Sequence, residues 1–352
     1  MRVLIAASGT GGHIFPALAV AQQLVGAQIG AQIDWLGVPD RLEQTLIQDY
    51  PLHTIRVTGF QGRPGLHTLS ILQRLIKATF RVKRLLKELQ VQAVFTTGGY
   101  IAAPAILAAR WQGLPVILHE SNAIPGKVTR LLARLCTQVA VGFPPAAQYL
   151  PPRKTRWTST PVREGFLTPQ PLDLPIPPDV PLIVVVGGSQ GAVAVNQLVR
   201  DCATAWLDAG AYLVHLTGDR DPDATSFEHP HYIALPFYQN MAGLLQRATL
   251  AVGRAGAGTL TELAVTRTPS ILIPYPYAAE DHQYHNAKAF VERDAALVFR
   301  QETLVASVLA QAVLDLLAAP EQLTQMATQA ETLAVKDSAS QLAQMLRQAA
   351  KT

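Results

Sequence analysis

Apolar residues fall in short runs of three to six, separated by longer stretches in which they recur every three or four positions. Arg2–Ala7, Gln32–Leu36, Ala93–Thr97, Val116–His119 and Val139–Val141 read as strands. Leu182–Val186, Tyr212–Thr217, Tyr232–Ala234, Leu250–Val252 and Ser270–Ile273 repeat the scheme. Near-continuous apolar strands alternating with amphipathic helices predict parallel sheets covered on both faces. Eleven prolines between Pro144 and Pro181 separate the two series, where a long helix could hardly persist. The expected fold class is α/β, with two doubly wound Rossmann-like domains facing a cleft. Domains are expected over residues 1–160 and 161–335, with a C-terminal helix in 336–352 packing back on the first. Such sheets bind ligands at the carboxyl ends of their strands, so both domains can offer loops to one site.

Composition narrows the class. The 352 residues are 49% apolar and 15% charged, enough for two buried cores and unlike a disordered chain. Cys136 and Cys202 stand far apart, which suggests neither a disulfide framework nor a metal knuckle and points to a reducing compartment. The apolar start MRVLIAAS is too short for a signal-peptide core, and no run approaches the ~20 residues of a spanning helix. A cytoplasmic protein, able to lie on a membrane, is expected. Charge is lopsided: residues 1–160 hold 17 Lys/Arg against 6 Asp/Glu (+11), and residues 161–352 hold 12 against 19 (−7). An anionic partner should therefore meet the first half. Nucleic acid is disfavoured, because aromatics do not interleave with the basic residues; an anionic membrane surface fits better. On a helix over Leu66–Gln90, Arg74, Lys77, Arg81, Arg84 and Lys87 form one stripe, and Leu72, Leu75, Thr79, Val82, Leu86 and Leu89 another. That pattern suits either an ordinary packed helix or one lying on lipid.

Four segments carry chemistry. Ser8-Gly9-Thr10-Gly11-Gly12-His13 follows the first strand and opens a helix, where glycines admit a ligand to the backbone and the helix end favours an anion. It is not a dinucleotide fingerprint, since Ile14 stands where the last glycine belongs, and Asp34 reads as the end of a strand rather than a ribose ligand. His13 is either a capping histidine or a general base. Gly187-Gly188-Ser189-Gln190-Gly191-Ala192 is a second such loop, at the equivalent place in the second domain. Gly253–Glu262 is a third, in which Glu262 is either a ribose ligand or a first-turn acid favoured by the helix dipole. Ala279–Ala287 is dense in polar groups; its histidines do not match a zinc spacing, and Gln283 and Asn286 suit sugar hydroxyls. Asp219-Arg220-Asp221 imitates a metal-binding D-x-D. Ala224 and Pro230 break a calcium loop there, so it reads as a solvated turn, and no metal is expected.

Taken in order, the motifs resemble the MurG family of peptidoglycan N-acetylglucosaminyltransferases over essentially the whole chain. They are SGTGGHIFPALAVA (8–21), TGGY (97–100), HESNAIPG (119–126), PVR (161–163), GGSQGA (187–192) with Asn196, RAGAGTLTE (254–262) and DHQYHNA (281–287). The resemblance implies a GT-B fold, inverting and metal-free transfer of N-acetylglucosamine from UDP-GlcNAc to lipid I, no cofactor, and peripheral attachment to the inner leaflet, with other cell-wall synthesis proteins as partners. The first domain would then take the acceptor and the membrane, and the second UDP-GlcNAc. Position by position it implies Thr10, Gly11 and Gly12 near phosphates, Asn122 at the donor sugar, and Arg163 and Ser189 on the diphosphate. Asn196 joins the substrate site; Tyr238 lies beside uracil; Gly258, Thr259 and Leu260 lie near the phosphates. Glu262 takes the ribose, and Gln283 the sugar hydroxyls. His13 would activate the acceptor C4 hydroxyl, supported by Glu120 and Tyr100. Ser159-Thr160 replace the usual Gly-Asn, Ser121 the usual Gln, and Thr129 a frequent Asn. Rival readings are another lipid-directed glycosyltransferase, a UDP-GlcNAc epimerase and a non-catalytic nucleotide-sugar sensor.

Overall fold

The computed structural model describes residues 1–26, 30–57, 66–188 and 191–351, with side chains from residue 70 onward in the helix that begins at 66. The chain divides into two compact units, Met1–Arg163 with Val335–Thr352, and Glu164–Ala334.

In the first unit, strands β1 (Arg2–Ala6), β2 (Gln32–Gly37), β3 (Leu52–Thr54), β4 (Ala93–Thr96), β5 (Val116–Glu120), β6 (Gln138–Val141) and β7 (Thr155–Trp157) form one parallel sheet in the order β3-β2-β1-β4-β5-β6-β7. Its helices are α1 (Gly11–Val25), α2 (Glu43–Leu46), α3 (Leu66–Glu88), α4 (Ala102–Trp111) and α5 (Lys127–Leu132). The second unit repeats the plan with β8 (Leu182–Val186), β9 (Tyr212–Leu216), β10 (Tyr232–Leu235), β11 (Leu250–Gly253), β12 (Ser270–Leu272) and β13 (Ala296–Val298), in the order β10-β9-β8-β11-β12-β13. Around it run α6 (Val193–Asp208), α7 (Met241–Arg247), α8 (Ala257–Thr266), α9 (His282–Val291), α10 (Ala306–Leu317) and α11 (Pro320–Glu331). The last helix, α12 (Ser338–Ala349), belongs to the first unit. Its Leu342, Ala343 and Leu346 share a core with Ile14, Ala17 and Val20 of α1.

β3 and β7 lack the apolar signature of the others, because each lies at a sheet edge where residues are only partly covered. β13, the edge of the second sheet, is absent from the expected strands although residues 295–299 are apolar throughout. Asp34 does not end a strand but sits inside β2, buried, where it accepts from Arg2 Nε at 2.7 Å and His53 Nε2 at 3.0 Å. Burial pushes this carboxyl up, but the bonds from Arg2 and His53 outweigh it and hold it below its ordinary range. The proline-rich segment carries short 3₁₀ turns at Pro144–Tyr149 and Glu164–Phe166.

At the end of the first pass through unit one, Thr158, Ser159 and Thr160 are buried. Ser159 adopts the left-handed conformation, φ +59°, which explains why glycine is usual there. Its carbonyl accepts from His119 Nε2 (3.1 Å), Thr158 Oγ1 (3.1 Å) and Ser338 Oγ of α12 (3.2 Å).

Candidate active site

Both sheets have a switch point, where neighbouring strands send the chain in opposite directions and leave a crevice at their carboxyl ends. In the first unit it lies between β1 and β4. His13, in the first turn of α1, is half-buried there. Its Nδ1 lies 2.7 Å from the Thr97 carbonyl, and Thr97 Oγ1 returns a bond to the His13 carbonyl at 3.0 Å. A carbonyl only accepts, so Nδ1 carries a proton, and in the neutral ring Nε2 is then the nitrogen with the lone pair, the tautomer required of a base. Gly98 and Gly99 run beside the ring with φ +87° and +72°. A Cβ on Gly99 would stand 3.7 Å from Nε2, so the glycines let the backbone turn next to the imidazole without covering it.

Thr10 caps α1 through its carbonyl, which accepts from the His13 and Ile14 amides at 3.0 and 3.2 Å. Gly12 is exposed, whereas Gly11 is buried so closely on Phe15 that a Cβ would come within 2.7 Å of the ring. Beneath this loop lies a residue that sequence reasoning missed. Glu43 is fully buried; its Oε1 accepts from Ser8 Oγ (2.5 Å) and the Val38 amide (2.7 Å), and its Oε2 from the Gly9 amide (3.3 Å). Nothing in Arg41–Gln44 distinguishes Glu43 from a surface residue.

Glu120, at the end of β5, is buried and ties down the loop that follows. Its Oε1 accepts from the Asn122 amide and Nδ2 (3.1 and 3.2 Å), and its Oε2 from the Gly126 amide (3.0 Å). It thereby orients Asn122, which is half-buried, while Tyr100 is exposed beyond Gly99. Beside it, burial pushes the His119 imidazole down to about 4; the neighbouring His13 adds to this, and the Ser159 carbonyl and Glu120 oppose it. His119 is thus neutral, donating from Nε2 to Ser159. Arg163, the last residue of this unit before the crossing, lays its guanidinium 4.6 Å from the centre of the Phe15 ring.

In the second unit the switch point lies between β8 and β11. Ser189 falls outside the described residues. The flanking Gly188 and Gly191 have φ +87° and +73°, and a Cβ on Gly191 would lie 2.5 Å from the Thr217 carbonyl. Opposite, α8 starts at Ala257, capped by Gly256. The amides of its first turn have no acceptor inside the helix, and a Cβ on Gly258 would meet nothing within 4 Å. Gly258 and Thr259 can therefore present N–H groups to an anion. Leu260 cannot: its side chain is buried and its amide donates to Gly256 O at 3.0 Å. Glu262 lies in the second turn of α8, past the reach of a first-turn dipole effect, and is half-buried.

Asn196 also differs from expectation, because it is fully buried and its side chain is engaged inside the unit. Its Nδ2 donates to Thr217 O (2.8 Å) and Asp221 Oδ2 (2.7 Å), and its Oδ1 accepts from His215 Nε2 (3.1 Å). It shapes the glycine loop from below rather than touching a ligand. Asp221 is likewise no solvated turn residue: its side chain has no exposed surface and pairs with Arg200 Nη1 at 2.8 Å. Burial raises its carboxyl, but Arg200, Asn196 and the Asp223 amide hold it net below the usual range. His215 is pushed down to about 4 by burial, reinforced by Arg200 against Asp221.

Tyr238, half-buried after β10, donates its hydroxyl to Asp173. Gln283, near the start of α9, accepts on Oε1 from the Tyr275 amide at 2.9 Å, which leaves its –NH₂ group to donate. Among the described residues no group of three or more His, Cys, Asp or Glu could hold a metal ion. No helix among them is long and apolar enough to cross a membrane.

Away from the crevice, α3 buries Ala78, Thr79, Val82 and Leu86. Leu72 leaves the expected apolar stripe: with Ile76 and Phe80 it is about half exposed, among exposed Arg74, Lys77, Arg81 and Arg84. Phe80 meets exposed Trp111 edge-on at 5.2 Å, and Lys83 Nζ lies 3.7 Å above the Trp111 ring.

Two doubly wound sheets with glycine loops at their switch points are the architecture of the GT-B fold. The chain belongs to glycosyltransferase family 28, matching its N-terminal domain over residues 3–141 and its C-terminal domain over 182–342. It is 66% identical over 346 residues to the UDP-N-acetylglucosamine–N-acetylmuramyl-(pentapeptide) pyrophosphoryl-undecaprenol N-acetylglucosamine transferase of Rippkaea orientalis, covering 98% of this chain and 97% of that one. To the enzyme of the same name from Synechocystis it is 62% identical over 348 residues, 99% and 97% of the two chains. The crystal structure of MurG from Acinetobacter baumannii superposes with a TM-score of 0.78 at 32% identity, covering 99% of each chain. An epimerase-like chain from Listeria monocytogenes, described as a UDP-N-acetylglucosamine 2-epimerase, gives 0.73 at 13% identity over 97% and 94% of the chains, a likeness of fold alone.

Proposed function

We propose that this glycosyltransferase moves N-acetylglucosamine from UDP-GlcNAc to the C4 hydroxyl of undecaprenyl-pyrophosphoryl-N-acetylmuramyl-pentapeptide (lipid I), forming lipid II. The observation that carries the reading is the pair of switch points: a histidine whose Nδ1 is tied to the Thr97 carbonyl in one unit, a glycine-opened helix end in the other. His13 Nε2 takes the acceptor proton as its oxygen attacks the anomeric carbon with inversion. UDP leaves with its charge stabilised by the α8 amides of Gly258 and Thr259, by Arg163 and by the loop containing Ser189. Glu262 binds the ribose hydroxyls, Tyr238 lies beside uracil, and Gln283 donates to sugar hydroxyls. In the first unit Thr10, Gly11 and Gly12 approach phosphate, and Asn122 the donor sugar. Glu120 acts through Asn122, and Tyr100 faces the acceptor. The exposed Leu72–Ile76–Phe80–Trp111 ridge with its basic border attaches the enzyme peripherally to the cytoplasmic face of the inner membrane, each cation near anionic lipid contributing ~1 kcal/mol.

Incubating the protein with labelled UDP-GlcNAc and a lipid I analogue should yield labelled lipid II. Consumption of UDP-GlcNAc with no lipid product would point instead to an epimerase or hydrolase. For the membrane reading, replacing Arg74, Lys77, Arg81 and Arg84 by glutamine should weaken binding to phosphatidylglycerol vesicles with little change toward a soluble acceptor. Equal vesicle affinity would refute it.

A further inference from the structure

Arg254 braces the strand-end backbone on which Gln283 docks, and Asn286, of the motif Asp281–Ala287, braces the backbone of the motif Arg254–Glu262. Arg254, only 8% exposed, directs Nη1 to the carbonyls of Ile273 (3.0 Å) and Pro274 (3.1 Å) and Nη2 to Gln301 Oε1 (2.6 Å). The planar fork of a guanidinium can serve these acceptors together, whereas an ammonium serves them only as a point. The next amide along, Tyr275 N–H, is the one that captures Gln283 Oε1 at 2.9 Å. In the other direction Asn286, fully buried and three residues beyond Gln283 on α9, donates from Nδ2 to the Ala255 carbonyl at 3.2 Å. Ala255 lies in the turn that opens α8.

A glutamine amide free to turn over can offer either its oxygen or its nitrogen. Here Oε1 is held by a backbone amide whose own segment is clamped by Arg254, so the amide cannot turn over and Nε2 stays available as a donor to a ligand. The Asn286 bond sets the distance from that donor to the amides at the start of α8. From this geometry we infer that Arg254 and Asn286 are positioning residues for donor-sugar selection. They keep the diphosphate-reading helix end and the hydroxyl-reading glutamine in one register. The inference rests on the reading that Gln283 contacts the donor sugar.

The test compares Arg254→Lys and the milder Gln301→Leu with Gln283→Ala, each first checked for a cooperative thermal transition. Calorimetry gives Kd for UDP and for UDP-GlcNAc; kinetics give KM and the kcat/KM ratio of UDP-GlcNAc over its C4 epimer UDP-GalNAc. Arg254→Lys should leave the Kd for UDP within about threefold, raise the KM for UDP-GlcNAc about tenfold and lower the epimer ratio toward that of Gln283→Ala. Gln301→Leu should do the same by a smaller factor, and it carries the test if the lysine variant does not fold. Arg254→Lys added to Gln283→Ala should cost no further selectivity, since both act at one amide. Equal losses for UDP and UDP-GlcNAc with an unchanged ratio, or additive losses in the double variant, would overturn the inference and leave only a structural role. An unchanged ratio in Gln283→Ala itself would sink the sugar-contact reading and this inference with it.

Discussion

Beneath the second unit's glycine loop, Arg200 and Asp221 form an ion pair with 4% and 0% of their side chains exposed. Removing one member of such a pair leaves the other charged and buried, which costs about 3–5 kcal/mol. Asp221→Ala should fall at the upper end, because the Asn196 amide and the Asp223 N–H lose their acceptor as well. Arg200→Met keeps the volume and should cost about 3 kcal/mol. In the double variant no orphan charge remains, so the total should be about 2–4 kcal/mol rather than the sum of the two, a coupling of at least ~2 kcal/mol. Because two units need not unfold together, the readout should be local. Hydrogen exchange on peptides from α6 and β9 reports the opening free energy of this unit alone. Additive losses, within ~0.5 kcal/mol, would show that the pair is not desolvated as described. The same network predicts acid sensitivity. The folded carboxyl is held below its unfolded value, so its contribution is complete above the unfolded pKa and is lost as pH falls through the lower folded value.

Other consequences follow for the remaining groups. His13→Ala should retain UDP-GlcNAc affinity and lose roughly 10²–10⁴ in turnover; unchanged turnover would remove His13 from the chemistry. Ser159→Gly, at φ +59°, should raise the unfolding free energy read from urea titration by about 0.5–1 kcal/mol, since the left-handed penalty exceeds the added unfolded-state entropy; a lower midpoint would contradict this. His119 and His215, each pushed down to about 4 by burial, stay neutral while their unfolded counterparts gain a proton below pH ~6.5. Each unit should therefore lose roughly 3 kcal/mol as pH falls from that value toward the folded pKa, and His119→Gln should flatten the profile for the first unit only. A pH-independent midpoint over that window would refute the burial argument.

What could be read in advance depended on whether the physical cause was local. Interior strands such as Leu182–Val186 announce themselves because both faces are buried, while β3 and β7 are edges and carry no such run. The glycine loops were legible as places of close approach, and His13 stood out beside them. Glu43 did not, because its partner Ser8 lies 35 residues away. Asp221 looked like a solvated turn until Arg200, 21 residues earlier, was found against it. Asn196 belongs to a recognisable motif, yet its function is to hold Thr217 and Asp221. Leu72 fits an apolar stripe by spacing alone, but spacing cannot say which of two adjacent stripes finds a partner.

The first unit is assembled from both ends of the chain, with α12 in its core and Ser338 bonded to Ser159. On the ribosome this inverts the order of completion. The unit that starts first waits for Leu342 and Leu346 to emerge, while the unit encoded in the middle already has every residue it needs. Until then the apolar face of α1 that α12 covers is open, a nascent surface for chaperones to guard. A nonsense codon or a poorly placed fusion after residue 335 would consequently strike the half of the molecule that carries His13, although that histidine lies more than 300 residues upstream in the chain.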